Sequence, residues 1–206
     1  MIRKKLLIFN IALFLSVVCP SFQALALTAS EAISKVQSKL ESAKTIKADF
    51  SMAINGSTVT GKIYSKGKKF AIITSPVSNW YNGKDLYTYN ASQGETTIFS
   101  PTESELAEIN PLLYISCADD YKVLGSKNIE DNTVMLVPKE KNSSIKNVKI
   151  ELNSNTYLPK KISIKTSSGD NIDIKISNIK LNETIEDSTF EYPKTKYSNV
   201  PVTDMR

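Results

Sequence analysis

The chain has 206 residues, of which 41% are hydrophobic, and its 26 basic residues against 21 acidic ones give a net charge of +5. This length suits a single domain. The chain contains no His and only two Cys, which excludes His-based catalytic triads, His metal ligands and thiolate metal clusters.

The first 26 residues have the pattern of a secretory signal peptide. Three basic residues at positions 3–5 precede an apolar run over 6–18, and the sequence Ala-Leu-Ala at 24–26 is a small-x-small cleavage site. We therefore expect cleavage after Ala26, export to the periplasm, and one mature domain over 27–206. Removal of the basic positions 3–5 leaves 23 basic and 21 acidic residues, a net charge of +2.

The two cysteines allow different chemistry. Lipidation of Cys19 would anchor the protein to a membrane, but Val18 before it and Pro20 after it fit a lipoprotein signal poorly. Cys117 would be alone in the mature chain, so it forms no intramolecular disulfide. A small buried side chain is favoured over a reactive thiol, because no His is present to activate Cys117.

The first half of the mature chain predicts one helix followed by short strands. Thr28 and Glu31 form a capping box, and an apolar stripe follows at Ala29, Ile33, Val36, Leu40 and Ala43. Strands are then predicted, with turns at Asn55-Gly56, Lys66-Gly67-Lys68 and Asn82-Gly83, over 46–54, 59–63, 70–74, 86–89 and 96–100.

A helical interruption is predicted in the middle of the chain. Thr102 and Glu105 form a second capping box, and one or two short helices follow, broken near Asn110-Pro111 because proline interrupts a helix. Strands resume at 121–124 and 134–137, and a final short strand is expected around 200–202.

Between 145 and 181 apolar and polar residues alternate strand after strand. Val148, Ile150 and Leu152 alternate with Lys149 and Glu151, and the same period recurs at 162–165 and 172–177. A period of two places the apolar set on one face of an antiparallel sheet and the charges on the other. About ten strands in sequential order favour a meander that curls, with its apolar face on the concave side. The pattern leaves open whether that face is an ordinary core or a pocket for an apolar ligand.

Signals for an enzyme or a nucleic-acid-binding protein are weak. Adjacent residues such as Asp119 and Asp120 point to opposite faces of an extended segment, and Glu103, Glu105 and Glu108 suit the start of a helix. The lysines are spread along strands without interleaved aromatic residues, so no nucleic-acid partner is expected. We predict no enzymatic activity, no cofactor and no metal.

The order of segments resembles the LolA family, the periplasmic carriers of outer-membrane lipoproteins in Gram-negative bacteria. The segments that carry the resemblance are 46–50, Gly61-Lys62-Ile63-Tyr64, Asn82-Gly83-Lys84, Leu86-Tyr87-Thr88-Tyr89, Asn110-Pro111-Leu112-Leu113, Leu136-Val137-Pro138-Lys139, Asp187-Ser188-Thr189-Phe190 and Val200-Pro201-Val202-Thr203-Asp204. The resemblance implies an α+β, mostly antiparallel fold: an incomplete half β-barrel of about ten or eleven strands, with helices as a lid over an apolar cavity. It also implies a monomeric carrier that accepts acylated lipoproteins from an inner-membrane ABC transporter and delivers them to an outer-membrane receptor.

The expected acyl-binding residues belong to the first helix, the lid and the sheet. They are Ile33, Val36, Leu40, Phe50, Met52, Ile63, Phe70, Leu106, Ile109, Leu112, Leu113, Leu136, Val148, Ile150, Ile162, Ile164, Ile174 and Ile176. The chain departs from the family at one point. The resemblance implies an Arg on an early strand that hydrogen-bonds the lid, but the matching region here is Lys66-Gly67-Lys68-Lys69, and Lys lacks the planar fork of Arg.

The sequence leaves two other functions open. One is a periplasmic lipid-sensing or regulatory half-barrel that binds a membrane signalling protein instead of carrying cargo. The other, a soluble hydrolase, is disfavoured because no catalytic constellation is present in the sequence.

Overall fold

The computed structural model describes residues 27–124 and 132–206. The expected signal peptide, its cleavage site and Cys19 lie outside the described residues. The described helices are α1 (Ala29–Glu41), α2 (Glu103–Ile109) and α3 (Leu113–Ser116), with 3₁₀ helices at Ala118–Asp120 and Asp187–Phe190. The described strands are β1 (Ile46–Ile54), β2 (Ser57–Lys66), β3 (Lys69–Thr74), β4 (Val77–Tyr81), β5 (Leu86–Asn90), β6 (Glu95–Phe99), β7 (Tyr121–Leu124), β8 (Thr133–Pro138), β9 (Ile145–Leu152), β10 (Pro159–Thr166), β11 (Asn171–Leu181) and β12 (Val202–Asp204).

Both predicted capping boxes are confirmed. At α1, the Thr28 hydroxyl accepts a hydrogen bond from the Glu31 N–H at 3.2 Å, and the Glu31 carboxylate accepts one from the Thr28 N–H at 2.8 Å. The same reciprocal pair forms between Thr102 and Glu105 at α2. The predicted break is also confirmed, because α2 ends at Ile109 and its C-cap, Asn110, has the extended backbone favoured before a proline.

The strands form one open sheet with the order β12-β6-β5-β4-β3-β2-β1-β11-β10-β9-β8-β7. Consecutive strands pair antiparallel within β1–β6 and within β7–β11, as expected for a meander, and β1 joins the two halves by pairing with β11. Only β12, among the described strands, pairs parallel, next to β6. The twelve strands exceed the ten or eleven expected, since β4 lacks a clear apolar alternation and was not predicted.

The sheet is strongly curved. Leu86 on β5 and Leu136 on β8 belong to the same buried apolar cluster, although eight strand spacings separate them in the sheet order. In a flat sheet that separation would be about 38 Å, at ~4.8 Å per strand. The two halves therefore curl towards each other, and α1 and α3 lie within the concavity. The predicted incomplete barrel is confirmed, open between its β7 and β12 edges.

The convex face is not exposed to water along its whole width. The segment after β11 crosses the outside of β3–β6 and buries Phe190 completely beside Ala71, Trp80 and Ile185. Tyrosines from the sheet and from this segment extend the second cluster. The C-terminal segment thus gives the β3–β6 half an apolar layer on both faces, whereas the outward residues of β9–β11 are mostly polar, as predicted.

Candidate functional site

The concave face carries a continuous aliphatic row across five neighbouring strands. Cross-strand partners connect Met52 to Ile174, Ile174 to Ile162, Ile162 to Ile150, and Ile150 to Val134. Directly opposed side chains on one face of an antiparallel pair lie close enough to pack. The row therefore runs across the strands and forms a ribbon of branched aliphatic side chains.

A second row lies beside the first. It connects Ile54, Ile172, Ile164, Val148 and Leu136 through successive strand pairs. The last three are at most 4% exposed. These side chains hold no hydrogen-bonding group, so the surface formed by the two rows offers non-directional apolar contact.

Phe50 extends this surface towards β2, where a glycine makes room for it. Phe50 pairs with Gly61 across the β1–β2 ladder. A methyl group added at Gly61 would lie 2.8 Å from Cε1 of Phe50 and 2.5 Å from the carbonyl oxygen of Ile73. The absence of a side chain at position 61 therefore allows the Phe50 ring and β3 to approach β2 closely.

The helices cover the two rows from the concave side. The stripe predicted on α1 faces inward, since Ile33, Val36 and Leu40 are at most 5% exposed. Leu106 of α2 and Leu112 before α3 are also buried, whereas Ile109 and Leu113 are half-buried. The cover consists of one four-turn helix and two short helices separated at Asn110-Pro111.

The structure brings every predicted acyl-binding residue into this one cluster. Met52, Ile109 and Leu113 are partly buried at its margin, and the other predicted residues are buried. Sequence reasoning missed Val134 and Ile115, which are fully buried in the same cluster. The period of two that selected Leu136 could have found Val134, but a four-residue helix such as α3 has too short a pattern to reveal Ile115.

A few polar contacts connect α1 to α3 and to the turn between β9 and β10. The Gln37 amide donates to the Ser116 carbonyl at 3.1 Å and so joins α1 to α3. On the other side, the Lys39 ammonium donates to the Thr156 carbonyl at 2.9 Å, and Lys35 lies 4.1 Å from the centre of the Tyr157 ring. These contacts are isolated, and most of the interface between α1 and the sheet is apolar.

The lysine stretch after β2 does not contact the helices in this way. Lys66 instead donates to Asp187 at 2.9 Å and ties the β2–β3 hairpin to the C-terminal segment. Both side chains are largely exposed, and an exposed ion pair of this kind contributes little to stability. Lys66 lies in the region where the resemblance implied an Arg that bonds the lid, and in the structure it contacts the segment on the convex side.

At one end of the concave face that the helices cover lies an opening, the mouth. A cavity of about 290 Å³ lies between the end of α1, the α2–α3 region and the first strands. Its apolar lining comprises Leu40, Ala43, Ile46, Leu112 and Leu113. This cavity therefore connects the margin of the buried cluster to the outside through aliphatic side chains.

Cys117, near the helical cover, is not activated as a nucleophile. Burial raises the pKa of the Cys117 thiol, and the nearby Asp120 and Glu103 carboxylates raise it further. A raised pKa keeps the thiol protonated and weakly nucleophilic at neutral pH. Within the described ranges, no group of three or more His, Cys, Asp or Glu side chains is placed to hold a metal ion.

Comparisons with solved structures show the fold. A conserved protein of unknown function from Thermus thermophilus superposes with a TM-score of 0.55 at 13% identity, covering 85% of this chain and 98% of that one. A LolA superfamily protein from Nitrosomonas europaea gives a TM-score of 0.44 at 14% identity, covering 81% and 99%. MucB in the MucA/MucB complex of Pseudomonas aeruginosa gives 0.45 at 11% identity, covering 80% of this chain and 60% of that chain.

The remaining comparisons concern the sequence. No curated protein matches it, and no helix in the described part of the chain is long and apolar enough to cross a membrane. The model of one family matches residues 20–169, from before α1 to the turn after β10. This match spans most of the chain and includes α1, the lid helices and four of the five strands that carry the aliphatic rows (β1, β8, β9 and β10), so the chain belongs to the family described as outer membrane lipoprotein carrier protein LolA.

Proposed function

We propose that the protein is a periplasmic carrier that shields the acyl chains of lipoproteins and moves them from the inner to the outer membrane. The observation that carries this proposal is the pair of aliphatic rows across β1, β11, β10, β9 and β8, covered by α1 and the two short helices α2 and α3. Membership of the LolA family supports the same function.

The free energy of transfer favours such a surface. Each CH₂ group removed from water is worth about 0.8 kcal/mol, so a lipid anchor crosses an aqueous compartment only when it is covered. The two rows provide aliphatic contact along the whole width of five strands. Because this contact is non-directional, a chain can slide in and out without breaking specific hydrogen bonds.

Acyl binding requires the cover to move. The inward side chains of α1, α2 and the α2–α3 connection pack on the rows, and an acyl chain must replace these contacts. The break at Asn110-Pro111 divides the lid, and the hydrogen bond from Gln37 to Ser116 joins it to α1. We propose that chains enter through the mouth lined by Leu40, Ile46 and Leu113.

The family resemblance supplies the proposed partners. The protein would receive cargo from an inner-membrane ABC transporter and release it to an outer-membrane receptor, acting as a monomer. Cleavage of the signal peptide after Ala26 would release it into the periplasm. The intact mass of the exported protein tests this step: a chain that begins at Leu27 is expected, and a lipid-modified Cys19 would contradict it.

Depletion in the source bacterium tests the carrier function. Lipoproteins should accumulate in the inner membrane when the protein is removed, and wild-type protein should restore their sorting. Ile174→Glu should not restore it, because this substitution places a charge in the aliphatic row. Lys175→Glu is the matched control on the exposed face of the same strand and should restore sorting. Unchanged sorting after depletion would contradict the proposal and favour a sensing role.

The folding of Ile174→Glu must be established separately. Circular dichroism and thermal unfolding show whether this variant retains the sheet, since burying a charge also destabilises the core. If Ile174→Glu unfolds, Ile150→Phe provides a second variant, because it fills the same surface with an apolar ring. A folded Ile150→Phe protein should bind a fluorescent fatty acid less well than wild type.

A further inference from the structure

A second cavity lies outside the acyl face, on the side of the lid helices. Its volume is about 350 Å³, and it is enclosed by α2, the α3 region and the ends of β7, β8 and β9. The floor is apolar and aromatic, with Ala107, Tyr114, Tyr121, Pro138 and Ile145 among its residues. None of the expected acyl-binding residues lines it, so this cavity is separate from the mouth described above.

Four carboxylates surround this cavity. They belong to Glu103, Glu108, Asp120 and Glu140, and none of them forms an ion pair within the described part of the chain. The basic residue among the lining side chains is Lys139, whose ammonium donates to the carbonyl oxygen of Asp119. The cavity is therefore strongly negative, although the mature chain carries a small positive net charge.

Tyr114 provides an independent sign of a ligand. The residue is only 4% exposed and lines the cavity, and its hydroxyl makes no hydrogen bond with the described residues. No fully buried side-chain oxygen or nitrogen of these residues lacks a partner, so the Tyr114 hydroxyl reaches the open space of the cavity. A buried phenol in this position offers a polar group and a ring face to a bound cation.

The electrostatics of the aromatic floor agree with this geometry. Burial raises the pKa of Tyr114, with further contributions from Tyr121 and the Glu108 carboxylate. Burial also raises the pKa of Tyr121, and the Asp120 carboxylate adds to the effect. The carboxylates around the cavity thus influence its aromatic floor, where their negative charge would stabilise a bound cation and destabilise a further anion.

We propose that this cavity is the docking site for a Lys or Arg side chain, flanked by apolar residues, on a protein partner. The carboxylates would bind the charged head, and the ring and aliphatic floor would pack against its stem. A lipid surface fits less well, because the phosphates of its headgroups would face four carboxylates. The proposal does not depend on acyl binding, since the cavity and the aliphatic rows have different linings.

A synthetic peptide of alternating Leu and Lys residues tests the site, with a peptide of alternating Leu and Gln as its control. The protein is expressed from its full sequence with isotope labels, and binding is followed by NMR. The Lys peptide should shift the resonances of Tyr114, Cys117 and Tyr121, and the Gln peptide should not. Vesicles of phosphatidylglycerol, whose phosphates are not balanced by an ammonium group, should leave these resonances unchanged.

Variants then separate the cavity from non-specific charge effects. The double variant E108Q/E140Q should weaken binding of the Lys peptide by about tenfold or more. Tyr114→Phe keeps the ring and should weaken it by a smaller factor. The double variant E186Q/E191Q changes the net charge equally on the convex-side segment and should bind like wild type. Equal weakening by both double variants, equal binding of both peptides, or shifts induced by the vesicles instead of the peptide would overturn the proposal.

Discussion

Arg206 donates a hydrogen bond from Nη1 to Oδ2 of Asp85 at 2.9 Å, and so joins two positions that are 121 residues apart. The other oxygen of Asp85 accepts from the Ser100 hydroxyl at 3.0 Å, just before the cap of α2. The Asp85 side chain is 8% exposed. The buried Asp85 carboxylate, just before β5, therefore binds both Arg206, which follows β12, and Ser100, which precedes the cap of α2.

The ion pairs of Arg206 predict a pH dependence of stability. Burial acts to raise the pKa of Asp85, but hydrogen bonds from Ser100 and Arg206 outweigh it and leave the pKa below its usual value. Arg206 also lowers the pKa of Asp204 to about 2. A carboxyl with a lowered folded pKa contributes stability above its unfolded value, ~3.9, and loses it as the pH falls through the folded value. Arg206→Gln should therefore be less stable than wild type at pH 7, with a difference that shrinks from about pH 4 towards pH 2.

Urea unfolding at several pH values measures this difference. Lys165→Gln removes an exposed positive charge for which the structure shows no ion pair, and it should change stability little at any pH. A constant difference between Arg206→Gln and wild type across the acid range would contradict the assignment of Asp85 and Asp204 as the titrating partners.

Gly61→Ala should destabilise the fold. The added methyl group would lie 2.5 Å from the Ile73 carbonyl oxygen and 2.8 Å from Cε1 of Phe50. Strand β3 or the Phe50 ring must therefore shift. Overpacking of this kind typically costs about 1–3 kcal/mol. Urea unfolding should show this loss, whereas Thr58→Ala, on an exposed position of the same strand, should change stability less. Wild-type stability of Gly61→Ala would contradict the close packing of Phe50 on β2.

Substitutions in the aromatic layer on the convex side should change stability and leave acyl binding unchanged. The Tyr192 ring lies 5.6 Å from Trp80 and 5.5 Å from Tyr87 between ring centres, and its hydroxyl hydrogen-bonds that of Thr96 at 2.9 Å. Tyr192→Phe keeps the ring contacts and loses the hydrogen bond, which should cost about 0.5–1.5 kcal/mol. Tyr192→Ala should cost more, because it also removes the ring.

Titrations with a fluorescent fatty acid test whether the convex layer affects acyl binding. Tyr192→Phe should bind the probe with wild-type affinity, since the convex cluster shares no residue with the two aliphatic rows. A selective loss of acyl affinity in a folded Tyr192→Phe protein would show that the ligand contacts the convex side.

Loosening the cover should speed acyl binding. Gln37→Ala removes the 3.1 Å hydrogen bond to the Ser116 carbonyl between α1 and α3. The loss of one such bond is worth about 1 kcal/mol, so the association rate of a fluorescent fatty acid should rise by about fivefold if opening limits entry. Ser38→Ala, an exposed change on the same helix, should bind at the wild-type rate in stopped-flow measurements. A rate unchanged in Gln37→Ala would show that this contact does not hold the cover.

Local sequence patterns predicted the strands and helices that bury only one of their faces. Ile150, Ile162 and Ile174 are buried and alternate with polar residues that are less buried, so a period of two identifies both the strands and their inward faces. The capping residues Thr28 and Thr102 identified the helix starts because their hydrogen bonds span only three residues. These signals are contained within a few positions of the chain.

Features that depend on distant contacts were not predictable in the same way. On β4, Tyr81 packs against the core on one face and Trp80 packs against the C-terminal segment on the other, so both faces carry apolar residues and the alternation is blurred. The aromatic partners Tyr192 and Tyr197 lie in a segment without strand or helix periodicity. The pairing of β1 with β11 and the negative cavity around Tyr114 likewise arise only when distant segments meet.

Photochemical labelling can locate a bound acyl chain on the protein. A fatty acid with a diazirine on its chain is bound to the protein, irradiated, and its adducts are located by mass spectrometry. Labelling should be saturable, should occur on the concave face at Ile150, Ile162 and Ile174, and should be competed by unlabelled fatty acid. Adducts confined to the convex aromatic cluster, or labelling that does not saturate, would contradict acyl binding on the aliphatic rows.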